Sequence, residues 1–263
     1  MATMEAVETM EAMADLIILK LGGSVITDKA GNGGVDYARI NELAREIAER
    51  KNIFPIIVHG AGSCGHPEAK EHHIHMGLDA NNKAGIFITH RAVCGLNDAV
   101  VNALRASGVE SVGIHPLDAC TAKNGRLISF QCGQIELLVR HGIVPVLHGD
   151  VVMDEDKGVC IVSGDQLISY LASHIRAKRI GLATDVAGLL QNGSVVRRIT
   201  PESVKNLDIS SSGSVDVTGG MKGKIDELLL LSEKGIESNI FHVSRVGDFL
   251  DGRDHGGTVV AER

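Results

Sequence analysis

Four short stretches of this chain combine glycine with charge in patterns suited to phosphate. His59-Gly60-Ala61-Gly62-Ser63-Cys64-Gly65-His66 follows the apolar run Ile53–Val58. Its glycines let the backbone turn tightly and aim several N–H groups at one anion, and the closing His66 adds a side-chain donor. Lys20-Leu21-Gly22-Gly23-Ser24, with Thr27-Asp28-Lys29 just beyond, ends another apolar run. A lysine beside paired glycines offers charge together with a backbone that phosphoryl oxygens can approach closely. The spacing is not that of a P-loop, GxxxxGKS/T. Gly149-Asp150 is followed, after a hairpin pattern, by Ser163-Gly164-Asp165, where Asp165 opens a helix and fits an N-cap. Thr184-Asp185-Val186-Ala187-Gly188 pairs with Asp216-Val217-Thr218-Gly219-Gly220-Met221-Lys222-Gly223-Lys224. There Gly219 and Gly220 precede a helix whose N-terminus favours anions, and lysines in its first turn are unfavourable unless an anion lies close.

The elements that must carry these motifs alternate between strand and helix. Leu16–Leu21, Ile53–Val58, Ser111–Ile114, Ile143–Leu147, Arg179–Ala183 and Ser238–Val243 read as strands, and 195–199 as a short one. Helical periodicity covers Asp36–Glu49, a long stretch from about Lys83 to Ser107, Ile135–His141, Asp165–His174 and Lys222–Lys234, the last stopped by Gly235. Thr200-Pro201-Glu202 is a helix-start signal, and Val151–Val162 reads as a hairpin around Asp154–Gly158. Ser210–Ser214 reads as a loop inside one domain, since motif residues resume directly after it. Repeated βα units imply an α/β fold, a largely parallel sheet covered on both faces, with ligands bound at strand ends.

Composition narrows the function. The 263 residues are 44% hydrophobic and 22% charged, as in a soluble globular protein. Aromatics are only 3% and Trp is absent, which disfavours a base-stacking surface, and a net charge of -7 opposes nucleic acid and anionic membranes. Five scattered cysteines without a CxxC pair suit a reducing cytosol and buried thiols. Among 12 histidines only His72, His73 and His75 cluster, and they read as a polar rim rather than a metal site, so no protein-held metal is expected. Residues 1–14 lack the basic start and apolar run of a signal peptide and read as a tail; residues 15–263 read as one domain of a cytoplasmic protein without a membrane span.

Together and in this order, KLGGSVITDK, HGAGSxGH, SGDQL, ATDVxG and DVTGGMxGK resemble the amino acid kinase family, from Leu16 to the C-terminus. Within it the chain is similar to the isopentenyl phosphate kinase branch. It departs from the family pattern at Cys64, where an aromatic is usual, and at Ala187, where an acidic residue is common. The resemblance implies an αβα sandwich with a central, mainly parallel sheet, an acceptor-binding N-terminal part and an ATP-binding part from about 160 to 263. It implies transfer of the ATP γ-phosphoryl group to isopentenyl phosphate, with Mg2+ bridging ATP oxygens. Lys20 and Lys224 would flank the transferring group, oriented by Asp165, and His66 would hydrogen-bond the acceptor phosphate. Gly60, Ala61, Gly62, Gly65, Gly149 and Asp150 would complete the acceptor side. Gly22, Gly23, Ser24, Lys29, Thr184, Asp185, Gly188, Gly219, Gly220 and Lys222 would lie along the nucleotide side. Hydropathy places the isoprenoid tail between His66 and Val93, against Ile74, Met76, Ile86 and Ile88. Fosfomycin is the rival acceptor, because its phosphonate offers a similar head group. A non-catalytic anion-binding protein on the same fold is a rival of another class, opposed by the presence of Lys20, Asp165 and Lys224 together. The resemblance also implies a homodimer.

Overall fold

Short β-rich runs flanked by glycines become strands, and longer amphipathic runs become the helices between them. The computed structural model describes residues 16–28, 34–51, 53–207 and 220–263. Among these residues the largest sheet has eight strands, in the order Arg198–Ile199, Thr258–Val260, Ser238–His242, Arg179–Thr184, Ile17–Leu21, Ile56–His59, Val144–His148, Ser111–Ile114. Neighbours run parallel from Ser238–His242 to Ser111–Ile114. The Ser238–His242 and Thr258–Val260 pair is antiparallel.

Side chains alternate across a strand with period two, and here both faces are apolar. Ile18, Ile56, Val58, Leu147, Ile180, Leu182 and Ile240 pack on one face against the helices Cys132–Arg140, Gly164–His174 and Gly220–Ser232. Ile17, Leu19, Leu21, Ile57, Val144, Val146 and Phe241 pack on the other against Tyr37–Ala48, Lys83–Ala106 and Val246–Leu250. This is the expected αβα sandwich. A second sheet of four strands runs Arg126–Phe130, Cys120–Lys123, Asp150–Asp154, Gly158–Val162 and stands beside it.

Several local expectations change in the fold. The signal Thr200-Pro201-Glu202 leads only to a single 3-10 turn, Ser203–Asn206. The strand expected over 195–199 divides into Ser194–Val195 and Arg198–Ile199, which belong to different sheets. A further hairpin, Cys120–Phe130, turns at Asn124-Gly125, a dipeptide that carries the hairpin signature: both residues adopt positive φ, 49° and 81°. Ser210–Ser214 lies outside the described residues. No helix among the described residues is long and apolar enough to cross a membrane.

Candidate active site at the strand ends

Lys20 shares the parity of Ile18, so alternation turns it toward the face covered by Gly164–His174 and Gly220–Ser232. There its Nζ meets Asp165 Oδ1 at 2.6 Å, and both residues are buried. Asp165 is therefore not the N-cap of its helix; Ser163 holds that position, its Oγ accepting the N–H of Gln166. Lys224 projects from the first turns of Gly220–Ser232 and brings its Nζ to 4.0 Å from Asp165 Oδ2. Lys222, two residues earlier, turns outward and pairs with Asp226 at 2.8 Å. The strand ends thus gather two lysine ammonium groups about one buried carboxylate, an arrangement that fixes the positions of both.

The paired glycines answer a steric demand. A Cβ on Gly23 would lie 2.3 Å from Gly62 N, and one on Gly60 would lie 2.7 Å from Gly23 N. The lysine turn and the histidine loop thus touch backbone to backbone. Thr27 fastens the contact, its hydroxyl donating to Gly23 O at 2.8 Å and accepting the N–H of Ser63 at 3.2 Å. Gly62 also has φ +54°, a region where glycine is at ease. Two glycines expected to aim amides at phosphate are engaged otherwise: Gly60 N donates to Leu21 O at 3.0 Å and Gly149 N to His59 O at 2.9 Å. Gly22 N likewise donates to Ala183 O at 2.9 Å. These glycines hold the strand ends together instead.

Of the residues expected toward the acceptor, Gly62 begins the 3-10 turn Gly62–Cys64 directly after Ala61, and half-buried His66 opens the helix His66–Glu71 directly after Gly65. Gly65 is needed because a Cβ there would press on Val93 Cγ1 at 2.4 Å. Asp150 departs from its expected place. It is 2% exposed, its Oδ2 accepts from His90 Nδ1 at 2.9 Å and Leu117 N at 3.3 Å, and its Oδ1 accepts from Val151 N. Burial lifts the Asp150 carboxyl above its usual range, and the hydrogen bond to Asp150 lifts His90. An exposed carboxylate beside an anionic acceptor would repel it, and this fold keeps Asp150 among protein partners. Of the tail residues, Ile74 and Ile86 join one apolar cluster with Val151 and Val159. Met76 and Ile88 do not, and Met76 is 75% exposed.

Of the residues expected toward the nucleotide, Ser24 and Asp185 are exposed at the ends of adjacent strands. Thr184 is buried, its hydroxyl donating to Val186 O at 2.8 Å, and so closes the turn. Gly188 is a packing glycine, since a Cβ would meet Thr258 Oγ1 at 2.5 Å. Gly220 begins its helix. Lys29 and Gly219 lie outside the described residues. Arg126 and Glu227 form a bidentate pair that ties the Cys120–Phe130 hairpin to the helix of Lys224.

A second polar cluster occupies the opposite face of the same sheet edge. His59 and His148 are register partners on neighbouring strands, share the parity of Ile57 and Val146, and are fully buried. They face His90, Cys94 and Asn97, which recur at i, i+4 and i+7 along Lys83–Ala106, and His115 closes the group. Burial pushes His59 below the usual histidine range, and His148 well below it. The only sequence signal was a histidine ending each of two apolar runs.

This arrangement places the chain in a known class. The profile of the amino acid kinase family covers residues 15–242, and the chain belongs to that family. Its similarities within the family are specific. An isopentenyl phosphate kinase of Haloferax volcanii is 38% identical over 94% of this chain and 99% of its own length. One from Methanothermobacter thermautotrophicus is 36% identical over 89% of this chain and 93% of its own length. A crystal structure of an isopentenyl phosphate kinase superposes with a TM-score of 0.82 at 34% identity, covering 93% of this chain and 99% of that one.

Proposed function

We propose that this chain transfers the γ-phosphoryl group of ATP to isopentenyl phosphate, giving isopentenyl diphosphate and ADP. The observation that carries the phosphotransfer reading is the trio Lys20, Asp165 and Lys224 at the ends of parallel strands, beside two loops in backbone contact. The acceptor follows from the relatives, which bear that name over nearly their whole length.

The chemistry needs no strong general base, because a phosphate monoester has its second pKa at about 6 and is already a nucleophile near neutral pH. An acceptor phosphate oxygen bonds to the γ-phosphorus as the bond from that phosphorus to the ADP oxygen breaks. The barrier lies in bringing anions together and in the charge that spreads over the transferring group. Lys20 and Lys224 supply fixed positive charge there, and Asp165 sets their positions. His66 donates a hydrogen bond to the acceptor phosphate. The N-terminal part holds the acceptor and the part from about 160 to 263 holds ATP, with Ser24, Asp185 and Lys222 toward the nucleotide.

Mg2+ fits this donor set only as a companion of ATP. Asp165 is committed to lysines, and among the described residues no cluster of carboxylates suited to a cation stands beside Lys20. ATP oxygens and water would hold the ion, which when bound neutralises phosphate charge. The five cysteines form no disulfide in this fold, in keeping with a cytoplasmic protein. A homodimer, which the family resemblance implies, could use the 67% exposed Phe87 of the Lys83–Ala106 helix as an apolar contact.

The test is ADP release with ATP and Mg2+, comparing isopentenyl phosphate, dimethylallyl phosphate and fosfomycin. Isopentenyl phosphate should turn over fastest. Preference for fosfomycin, or silence on all three with ATP still bound, would overturn the acceptor assignment.

A further inference from the structure

The histidine cluster behind the glycine loop takes no part in the phosphotransfer just described. Three of its donor atoms come from three separate elements: Cys94 from Lys83–Ala106, His115 from the loop after Ser111–Ile114, and His148 from the end of Val144–His148. One ligand atom from each lies within 4.8 Å of the others. Cys94 Sγ is 3.5 Å from His115 Nδ1, and His115 Nδ1 is 2.9 Å from His148 Nε2. Tetrahedral zinc bonds of about 2.0–2.3 Å put sulfur and nitrogen donors about 3.3–3.6 Å apart. Cys94 and His115 meet that spacing, His115 and His148 need a few tenths of an ångström of opening, and Cys94 and His148 lie within 4.8 Å of each other.

The surrounding contacts are those that orient metal ligands. His148 Nδ1 lies 3.1 Å from Gly149 O, so its N–H points there and the bare Nε2 faces the cluster. His90 stands beside the same sulfur, its Nε2 at 3.3 Å, with its Nδ1 anchored to the Asp150 carboxylate at 2.9 Å. Cys94 is 7% exposed and His148 is fully buried, so water competes poorly for these donors.

We propose that Cys94, His115 and His148 bind a divalent ion of the zinc class, with His90 beside the Cys94 sulfur. Binding forms the S–Zn bond and two N–Zn bonds, releases the thiol proton of Cys94 to solvent, and requires the His115 proton, which Nδ1 donates to His148 in the empty site, to move to Nε2. The ion would pin the Lys83–Ala106 helix to two strand ends. That helix also presses Val93 against Gly65 of the histidine loop, so the site would stiffen the support of His66 from the face opposite Lys20. The proposal does not depend on which acceptor the enzyme uses.

The full-length protein, stripped with dipicolinate, is given Zn2+ and passed through gel filtration, and bound metal is measured by mass spectrometry. About one ion per chain should remain. The Co2+ form should show a sulfur-to-cobalt charge-transfer band, absent in Cys94→Ser. Zinc affinity should fall at least about tenfold in Cys94→Ser and in His115→Gln. It should persist in Cys160→Ser and in the triple variant His72→Gln, His73→Gln, His75→Gln. Circular dichroism checks each fold; should His115→Gln unfold, the near-isosteric Cys94→Ser and its cobalt spectrum decide. No retained zinc, unchanged affinity in Cys94→Ser, or loss of zinc in the triple variant would each overturn the site.

Discussion

Replacing Lys224 by methionine should separate charge stabilisation from structure, because the two lysines on Asp165 are held differently. Lys20 bonds the carboxylate at 2.6 Å, whereas Lys224 stands 4.0 Å from the other oxygen. A phosphoryl group beside Lys20 would then lie roughly 5 Å from Lys224, where unit charges attract by about 3 kcal/mol at an effective dielectric of about 20. Transition-state charge is spread over several oxygens, so about half to all of this should be lost in Lys224→Met. That corresponds to a fall in kcat of roughly 10- to 200-fold. Stability should drop less than in Lys20→Met, since the close Lys20–Asp165 bond survives. Lys20→Met leaves Asp165 buried with only the distant lysine and should cost about 3–5 kcal/mol. The assay is coupled ADP release with ATP varied at saturating isopentenyl phosphate, alongside denaturant unfolding of both variants. An unchanged kcat, or a rise in the KM for ATP that accounts for the whole loss, would refute the role of Lys224 in the transfer step. Equal destabilisation by both variants would refute the distinction between the lysines.

Three further outcomes follow from the same geometry. His66→Ala should raise the KM for isopentenyl phosphate about 10- to 100-fold, the worth of one hydrogen bond to a charged group, with a much smaller effect on the KM for ATP; equal effects would remove His66 from the acceptor site. Gly23→Ala should cost about 1–3 kcal/mol in unfolding experiments and lower kcat, because its Cβ would fall 2.3 Å from Gly62 N and push the two loops apart; wild-type stability would deny the backbone contact. Burial works against the Asp154 carboxylate, but amides of Asn124, Gly125, Asp156 and Lys157 outweigh it and hold the group down at about 2. A depressed carboxyl stabilises the fold above its ordinary pKa and loses that contribution as pH falls through its folded value, so Asp154→Asn should cost about 1–2 kcal/mol at pH 7. The gap to wild type should narrow between about pH 4 and pH 2, and a gap independent of pH would contradict this origin.

The family and the phosphate chemistry were legible in the chain because they rest on local pattern. Apolar runs ending in Lys20-Leu21-Gly22-Gly23 and His59-Gly60-Ala61-Gly62 declare strands that stop at tight glycine turns, and the long periodic stretch near Lys83–Ser107 declares its helix. Alternation along Ile17–Leu21 even fixes the face on which Lys20 lies. Contacts between distant segments are another matter. Glycine at Gly23 and Gly62 reads as flexibility in the sequence, whereas folding shows it as the absence of a side chain where two backbones meet. Asp150 next to Gly149 looked like part of the acceptor site, and only the fold turned it inward to His90. Cys94, His115 and His148 have no spacing to betray them, since each sits on a different element. Their convergence depends on strand order and on the angle of one helix, and both are set by the packing of the whole core.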